Sequence, residues 1–229
     1  MERNQGEMMK KPEFNTLRLS MVERQIEGRG IASLLLLAAM RRVRRERFVP
    51  DDMQHLAYED GPLAIGEGQT ISQPYVVALM IEALALQGGE KVLDIGTGSG
   101  YCAAVLACIA GEVFGIERLP VLAERAREVL RNEAFGNVHV RCGDGTLGWP
   151  EAAPFDGIVV AAGGPSIPPA LTDQLAVGGR LVMPVGGEHT SQDLVRLTRM
   201  SATGYERESL GGVRFVPLLG AAGWPEEPG

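Results

Sequence analysis

Histidine, cysteine and aromatic residues are scarce in this chain, and each shortage excludes something. In 229 residues there are three histidines, His55, His139 and His189, three cysteines, and an aromatic fraction of 5%. Cys102, Cys108 and Cys142 have neither the paired spacing of a zinc site nor the density of a secreted disulfide framework, so they read as reduced, small core residues. Long hydrophobic runs are absent too. The longest aliphatic run, LLLLAAM from Leu34 to Met40, is far short of the ~20 residues that span a bilayer. The polar start MERNQGEMMKKPEF lacks the apolar segment of a secretory signal. A soluble, cytoplasmic protein with no membrane partner is expected. Positive charge is also in deficit: 22 basic against 29 acidic residues give a net charge of −7. The global field therefore disfavours a polyanion, and no nucleic-acid partner is expected.

The length suits one domain, spanning 1–229, and a monomer is expected. Within it we expect an N-terminal helical cap (1–60), a loop plus α/β core (61–218) and a loose tail (219–229). Residues 1 to about 14 are charged and aperiodic and read as a frayed lead. Apolar residues then recur at helical spacing over Thr16 to Glu27 and Ser33 to about Arg47, with Gly28 and Gly30 as the stop between. Arg41, Arg42, Arg44, Arg45 and Arg47 cluster at the end of the second helix. A solvated helix end, where cations complement the dipole, is the favoured reading over an anion site.

From Lys91 onward short β-branched runs alternate with helical stretches. KVLDI, EVFGIE, NVHVRC, FDGIVV and GRLVMPV read as strands of a parallel sheet flanked by helices. DLVRLTRM and GVRFVPLL follow closely enough to pair as an antiparallel edge.

VLDIGTGSGY runs a buried-strand pattern into Gly96, Gly98 and Gly100 and then into a helix. Glycines there let the backbone turn sharply and approach a ligand beyond the carboxyl end of the strand. The spacing is G-x-G-x-G rather than the G-x-G-x-x-G of dinucleotide binders, and Asp94 before the turn would repel a phosphate. A ligand without phosphates fits better. Glu117, 21 residues after Gly96, ends the second strand where a carboxylate would accept hydrogen bonds from ribose hydroxyls. The alternative is a tight strand-to-helix turn with no ligand.

This combination resembles the class I S-adenosylmethionine-dependent methyltransferases. The resemblance implies a Rossmann-like, doubly wound α/β fold with a mostly parallel sheet and an antiparallel edge, behind the N-terminal helical cap. It also implies S-adenosyl-L-methionine as cofactor, with S-adenosyl-L-homocysteine as product. In that family the loop after the third strand contacts adenine, which here places Asp144 of RCGDGTLGW; an ordinary turn residue is the competing reading. FDGIVVAAGGP lacks the D/N-P-P-Y/F/W signature of nucleobase amino methylation. It also lacks a carboxylate after the strand to bind magnesium, so no metal is expected. The small residues Ala161, Ala162, Gly163 and Gly164 leave room for a peptide backbone.

PLAIGEGQTISQPYVVALM, followed in order by VLDIGTGSGY, GDG, FDGIVV, IPPAL, QL..GGRLVMPVG and RFVPL, resembles the protein-L-isoaspartate O-methyltransferase family from about Met21 to Leu218. By that resemblance Ser72 of the TISQP loop is the catalytic residue. Gln69, Thr70, Ile71, Asp94, Gly96, Gly98, Gly100, Glu117, Arg118, Asp144 and Gly145 hold the cofactor. Ile71, Ser72, Ala162, Val213 and Val216 meet the substrate, an isoaspartyl-containing protein or peptide. The chain departs from the family at Arg44, where Pro is usual, at Ala64, often Pro, and at Gly163 and Gly164, usually Ala or Pro. The glycine pair is expected to loosen the acceptor site. Two other readings stand beside this one: methylation of a normal aspartate in a dedicated peptide, and a non-catalytic S-adenosylmethionine-binding recogniser of damaged proteins.

An isoaspartyl α-carboxylate, with a pKa of roughly 3.5 to 4, is ionised at pH 7 and needs no general base. That matches the absence of histidine and lysine from the motifs, and all three histidines read as structural or surface residues. Ser72 and nearby backbone N–H groups would orient the carboxylate without quenching it as a bidentate arginine would. GEGQTISQP is then a polar lid over an anionic acceptor.

Overall fold

The computed structural model describes residues 14–188 and 190–225. The frayed lead, His189 and the last four residues of the expected tail lie outside the described residues.

The cap opens with α1 (Phe14–Met21), which widens and then tightens through 22–29 and stops at Gly30, whose φ of 98° is the left-handed conformation of a helix stop. Ser33 begins α2 (Leu34–Arg42) by accepting the Leu36 N–H at 3.3 Å. This helix ends sooner than apolar periodicity predicts. Val43 is already extended and a separate tight turn covers 45–48, so Arg44, Arg45 and Arg47 do not form a helix end. Arg44 instead forms a two-pronged ion pair with Glu133 at 2.8 and 2.9 Å, tying the cap to the core where the family usually has a proline. Arg45 is fully buried, contrary to the solvated cluster expected.

A hairpin follows, β1 (Leu63–Gly66) and β2 (Gln69–Ile71), joined by Glu67 and Gly68. Both turn residues have positive φ, 51° and 67°, as a two-residue hairpin turn that follows strand twist requires. GEGQTISQP is therefore half hairpin rather than a simple loop. Pro74 then starts α3 (Pro74–Leu84), where its missing N–H costs nothing.

The main sheet holds seven strands in the order β5-β4-β3-β6-β7-β8-β9. These are β3 (Lys91–Ile95), β4 (Glu112–Glu117), β5 (Val138–Cys142), β6 (Phe155–Val160), β7 (Leu175–Gly186), β8 (Gln192–Arg199) and β9 (Tyr205–Val213). The first five in sequence are parallel, linked through α4 (Tyr101–Ala107), α5 (Pro120–Asn132) and α6 (Pro169–Asp173); β8 and β9 are antiparallel additions. The expected mixed edge is present, but its outer strand is YERESLGGV rather than GVRFVPLL. An edge strand with both faces wet tolerates that polar pattern, whereas the apolar FVPL segment turns inward to line the cleft.

Alternation along β3 divides the core. Val92 faces a large cluster that also contains Met21, Ile26, Leu36, Met40, Tyr101 and Val105, so cap and core share one apolar interior. Leu93 and Ile95 face a second cluster with Ile116, Phe155, Ile158 and Met183. The chain order reverses about β3, between β4 and β6. In open α/β sheets such a switch point opens a crevice beyond the strand ends. No helix among the described residues is long and apolar enough to cross a membrane.

Candidate functional site

At the switch point two chambers meet. The first is enclosed by the carboxyl ends of β3, β4 and β6, through Gly96 and Gly98, Glu117 and Arg118, and Ala161 and Ala162. Gly145 after β5, Gln69 and Thr70 of the hairpin, and Val216 to Leu219 complete it. The second lies between Thr70, Ser72, Gln73 and Val76 on one side and Gly212 to Pro217 on the other. Thr70, Ala161, Val216 and Pro217 line both.

The glycine run behaves as its sequence implies. Gly96, Gly98 and Gly100 have φ of 77°, 53° and 87°, which side-chain-bearing residues adopt only with strain. The turn is locked by Glu117, whose Oε2 accepts the Gly98 N–H at 2.8 Å while Oε1 accepts that of Leu119 at 2.9 Å. Each oxygen retains further capacity to accept a hydrogen bond. A nucleoside fits this lining: one carboxylate for ribose hydroxyls, apolar walls from Ile95, Ile116, Leu119 and Leu218, and glycine backbone for close approach.

Four sequence-predicted residues lie outside both linings: Asp94, Gly100, Ile71 and Asp144. Asp94 is fully buried, shares the face of Val92, and lies outside the first chamber's lining. Neither of its oxygens has a hydrogen-bond partner among the described residues, and burial pushes its pKa up to about 7. Thr97 and Cys102 draw it down a little without reaching ordinary hydrogen-bond geometry, and Glu117 pushes it up. Its place is beneath the glycine turn. Gly100 packs against Leu130 and Ala126, letting α4 approach α5, rather than lining the chamber. Ile71 points into the core at 4% exposure and lines neither chamber, because alternation along β2 turns it inward from Thr70.

Asp144 is likewise outside the lining. Its Oδ1 accepts the Thr146 N–H and hydroxyl at 2.8 and 2.7 Å, and its Oδ2 accepts the Ala221 N–H at 2.8 Å. Burial alone would raise its pKa, but these hydrogen bonds outweigh it and hold the carboxyl below the usual range. The partner is in the expected loose tail. Through Trp224 that segment is bound down: the Trp224 N–H donates to Leu218 at 2.7 Å and its indole to the Gly163 carbonyl at 3.1 Å. Leu219 lines the first chamber and residues 220–224 are tied down behind it, and sequence patterning missed them because they have no periodicity.

Gly163 and Gly164 do not leave room for a peptide either. A Cβ at Gly163 would stand 2.7 Å from the Gln192 amide, and one at Gly164 would stand 2.5 Å from the Met183 methyl. That space is filled. Gln192 is itself buried and bonds Phe215 twice, accepting its N–H at 2.8 Å and donating to its carbonyl at 3.2 Å, so it fixes the wall of the second chamber. The glycine pair opens no space at the acceptor side; it lets Gln192 and Met183 pack closely.

Ala162 meets the first chamber, while Val213 lines the second and Val216 both. Sequence reading missed Pro62, Glu188 and Arg214 at the second chamber. Among the described residues, neither chamber's lining contains histidine, lysine or cysteine. His55 and His139 are exposed away from both. All three cysteines are free, but Cys142 is exposed rather than a core residue.

Comparison with known proteins agrees with this construction. The protein-L-isoaspartate(D-aspartate) O-methyltransferase family profile matches residues 17–223. Protein-L-isoaspartate O-methyltransferase 2 of Marinobacter nauticus is 62% identical over 213 residues, 93% of this chain and 97% of its own. Protein-L-isoaspartate O-methyltransferase 1 of Rhodopseudomonas palustris is 60% identical over 92% of this chain and 86% of its own. Among solved structures, a Plasmodium falciparum protein assigned to the same activity, in complex with S-adenosyl-L-homocysteine, superposes with a TM-score of 0.77 at 26% identity, covering 88% of this chain and 98% of its own. The chain belongs to the protein-L-isoaspartate (D-aspartate) O-methyltransferase family.

Proposed function

We propose that this protein transfers the methyl group of S-adenosyl-L-methionine to the free α-carboxylate of L-isoaspartyl residues in damaged proteins, starting repair through the methyl ester and a succinimide. The observation that carries it is the junction of the two chambers at Thr70 and Ala161, with Ser72 opening on the second. When bound, the cofactor supplies an electrophilic methyl on a sulfonium.

In this reading Glu117 orients the ribose and the Gly96–Gly98 backbone allows close approach. Gln69, Thr70, Arg118, Gly145 and Ala162 complete the cofactor side. Asp94 and Gly100 act from behind, supporting the turn, and Asp144 anchors the C-terminal wall. Ser72 donates a hydrogen bond to the acceptor carboxylate, and Val213 and Val216 confine the peptide. The carboxylate arrives ionised, so no general base is needed to create the nucleophile. What the residues supply is alignment of oxygen, methyl carbon and sulfur, and a site from which water is displaced. Ser72 suits that task because a neutral donor fixes an anion while leaving it nucleophilic.

Three unbridged cysteines and an excess of acidic residues support a cytoplasmic protein that acts without nucleic acid, and we take it to act as a monomer. The test is methyl transfer from labelled S-adenosylmethionine to two synthetic peptides that differ only in carrying L-isoaspartate or L-aspartate at one position. Transfer to the isoaspartyl peptide alone is expected. Transfer to the aspartyl peptide at a comparable rate would overturn the proposal.

A further inference from the structure

Of the five arginines between 41 and 47, Arg45 is buried completely. Its Nε donates to the Ala57 carbonyl at 2.8 Å and its Nη2 to the Ser72 carbonyl at 2.8 Å, while the guanidinium lies 4.8 Å from the centre of the Tyr101 ring. Nη1 has no partner among the described residues.

No carboxylate among the described residues pairs with Arg45; Glu46 beside it is engaged by the Tyr58 hydroxyl. Burial lowers the guanidinium pKa to about 10, so it stays charged at neutral pH. Burial also pushes Tyr101 up to about 12 and Tyr58 higher still, so neither phenol supplies a compensating anion. An uncompensated buried cation is expensive, and an apolar side chain would fill the space at lower cost.

The backbone explains why a donor is needed at Ser72. β2 ends at Ile71, so no strand partner is left for the Ser72 carbonyl. The first helical hydrogen bonds of α3 go to the Gln73 carbonyl, from Val76 and Val77 at 3.0 and 3.2 Å. The Ser72–Gln73 peptide unit thus falls between two regular elements. Gln73 is held extended before Pro74, with φ −48° and ψ 137°.

We infer that Arg45 is a positioning residue for the acceptor: by holding the Ser72 carbonyl it fixes the peptide unit that aims the Ser72 side chain, and its unpaired charge favours an anionic carboxylate in the second chamber. This rests on the reading that Ser72 contacts the acceptor. Lysine cannot replace it, because a single ammonium on a flexible stem cannot bridge the Ala57 and Ser72 carbonyls with the same planar fork. The Ser72 carbonyl faces the cap while the Ser72 residue lines the second chamber, so the cap acts through the loop without touching substrate.

The test compares Arg45→Lys, Arg45→Met and Ser72→Ala with the wild-type protein. S-adenosyl-L-homocysteine affinity is measured by calorimetry, and kcat and KM with the isoaspartyl peptide. Both Arg45 variants are expected to bind S-adenosyl-L-homocysteine like the wild type while kcat/KM for the peptide falls roughly tenfold, the scale of the Ser72 hydrogen bond that they misplace. Arg45→Lys is expected to keep a lower KM than Arg45→Met because it retains the charge. Wild-type kcat/KM in Arg45→Lys beside an impaired Ser72→Ala would overturn the inference alone. Failure of either Arg45 variant to fold, or loss of S-adenosyl-L-homocysteine affinity in step with activity, would make Arg45 a folding residue and overturn it too. Wild-type turnover in Ser72→Ala would remove the reading beneath it, and the inference with it.

Discussion

The two chambers are built in different ways. The first rests on adjacent parallel strands: β3, β4 and β6 each end at it, and one carboxylate, Glu117, locks the glycine turn from the neighbouring strand. The second is assembled from separate pieces: the Ser72 loop, the segment 212–217 held by Gln192, and the buried Arg45 of the cap. A site on a sheet inherits its geometry from the ladder of backbone hydrogen bonds, whereas a site between loops needs individual side chains to hold each loop in place. Changes in the first chamber should therefore alter cofactor affinity, and changes in the second should alter acceptor use.

The largest expected effect is beneath the first chamber. The Asp94 pKa is raised from 3.8 to about 7, so the folded state holds that proton more tightly than the unfolded chain. Stability from this group is intact below about pH 4 and is lost as pH rises through about 7, with a total of order 4 kcal/mol. Asp94→Asn should abolish that slope. Thermal unfolding of the cofactor-free protein between pH 4.5 and 8 checks it: the variant should gain on the wild type as pH rises, and a constant difference would refute the assignment.

Next is Glu117→Ala, which removes two charge-assisted hydrogen bonds and the ribose acceptor. S-adenosyl-L-homocysteine affinity should fall roughly 100-fold, read by calorimetry, with little change in peptide KM at saturating cofactor. Ser72→Ala should do the reverse, lowering kcat/KM for the isoaspartyl peptide roughly tenfold, the scale of one hydrogen bond to a charged acceptor, while cofactor affinity stays put. The smallest effect is expected for Trp224→Phe. Losing the indole bond to Gly163 loosens the C-terminal wall and should weaken cofactor binding by about threefold; a larger effect on the peptide would assign that wall to the acceptor side.

The same contrast separates what could be read in the sequence from what could not. The glycine run and Glu117 were legible because a sharp turn at a strand end demands glycine locally and the acidic partner comes at a fixed distance along the chain. The alternation of strands and helices was legible for the same reason. Ser72 was legible only through family resemblance, since serine before glutamine and proline carries no pattern of its own. Arg45 was not legible: its bond to Ser72 spans 27 residues and nothing periodic marks it, so it was read with its exposed neighbours. The Asp144 bond to Ala221 spans 77 residues and hid the folded tail in the same way. Asp94 stands outside both linings because the parity of the strand, which a motif resemblance does not give, decides which way a side chain faces.

Separability of the two chambers is tested most directly by a double-mutant cycle. Glu117→Ala, Ser72→Ala and the double variant would be compared by kcat/KM for the isoaspartyl peptide at a fixed, subsaturating S-adenosylmethionine concentration. Chambers that work independently predict that the fold-losses multiply, leaving a coupling free energy within about 0.5 kcal/mol of zero. A double variant no worse than the poorer single one would show that Glu117 and Ser72 act as one unit, and would contradict the division of the site into a cofactor half and an acceptor half.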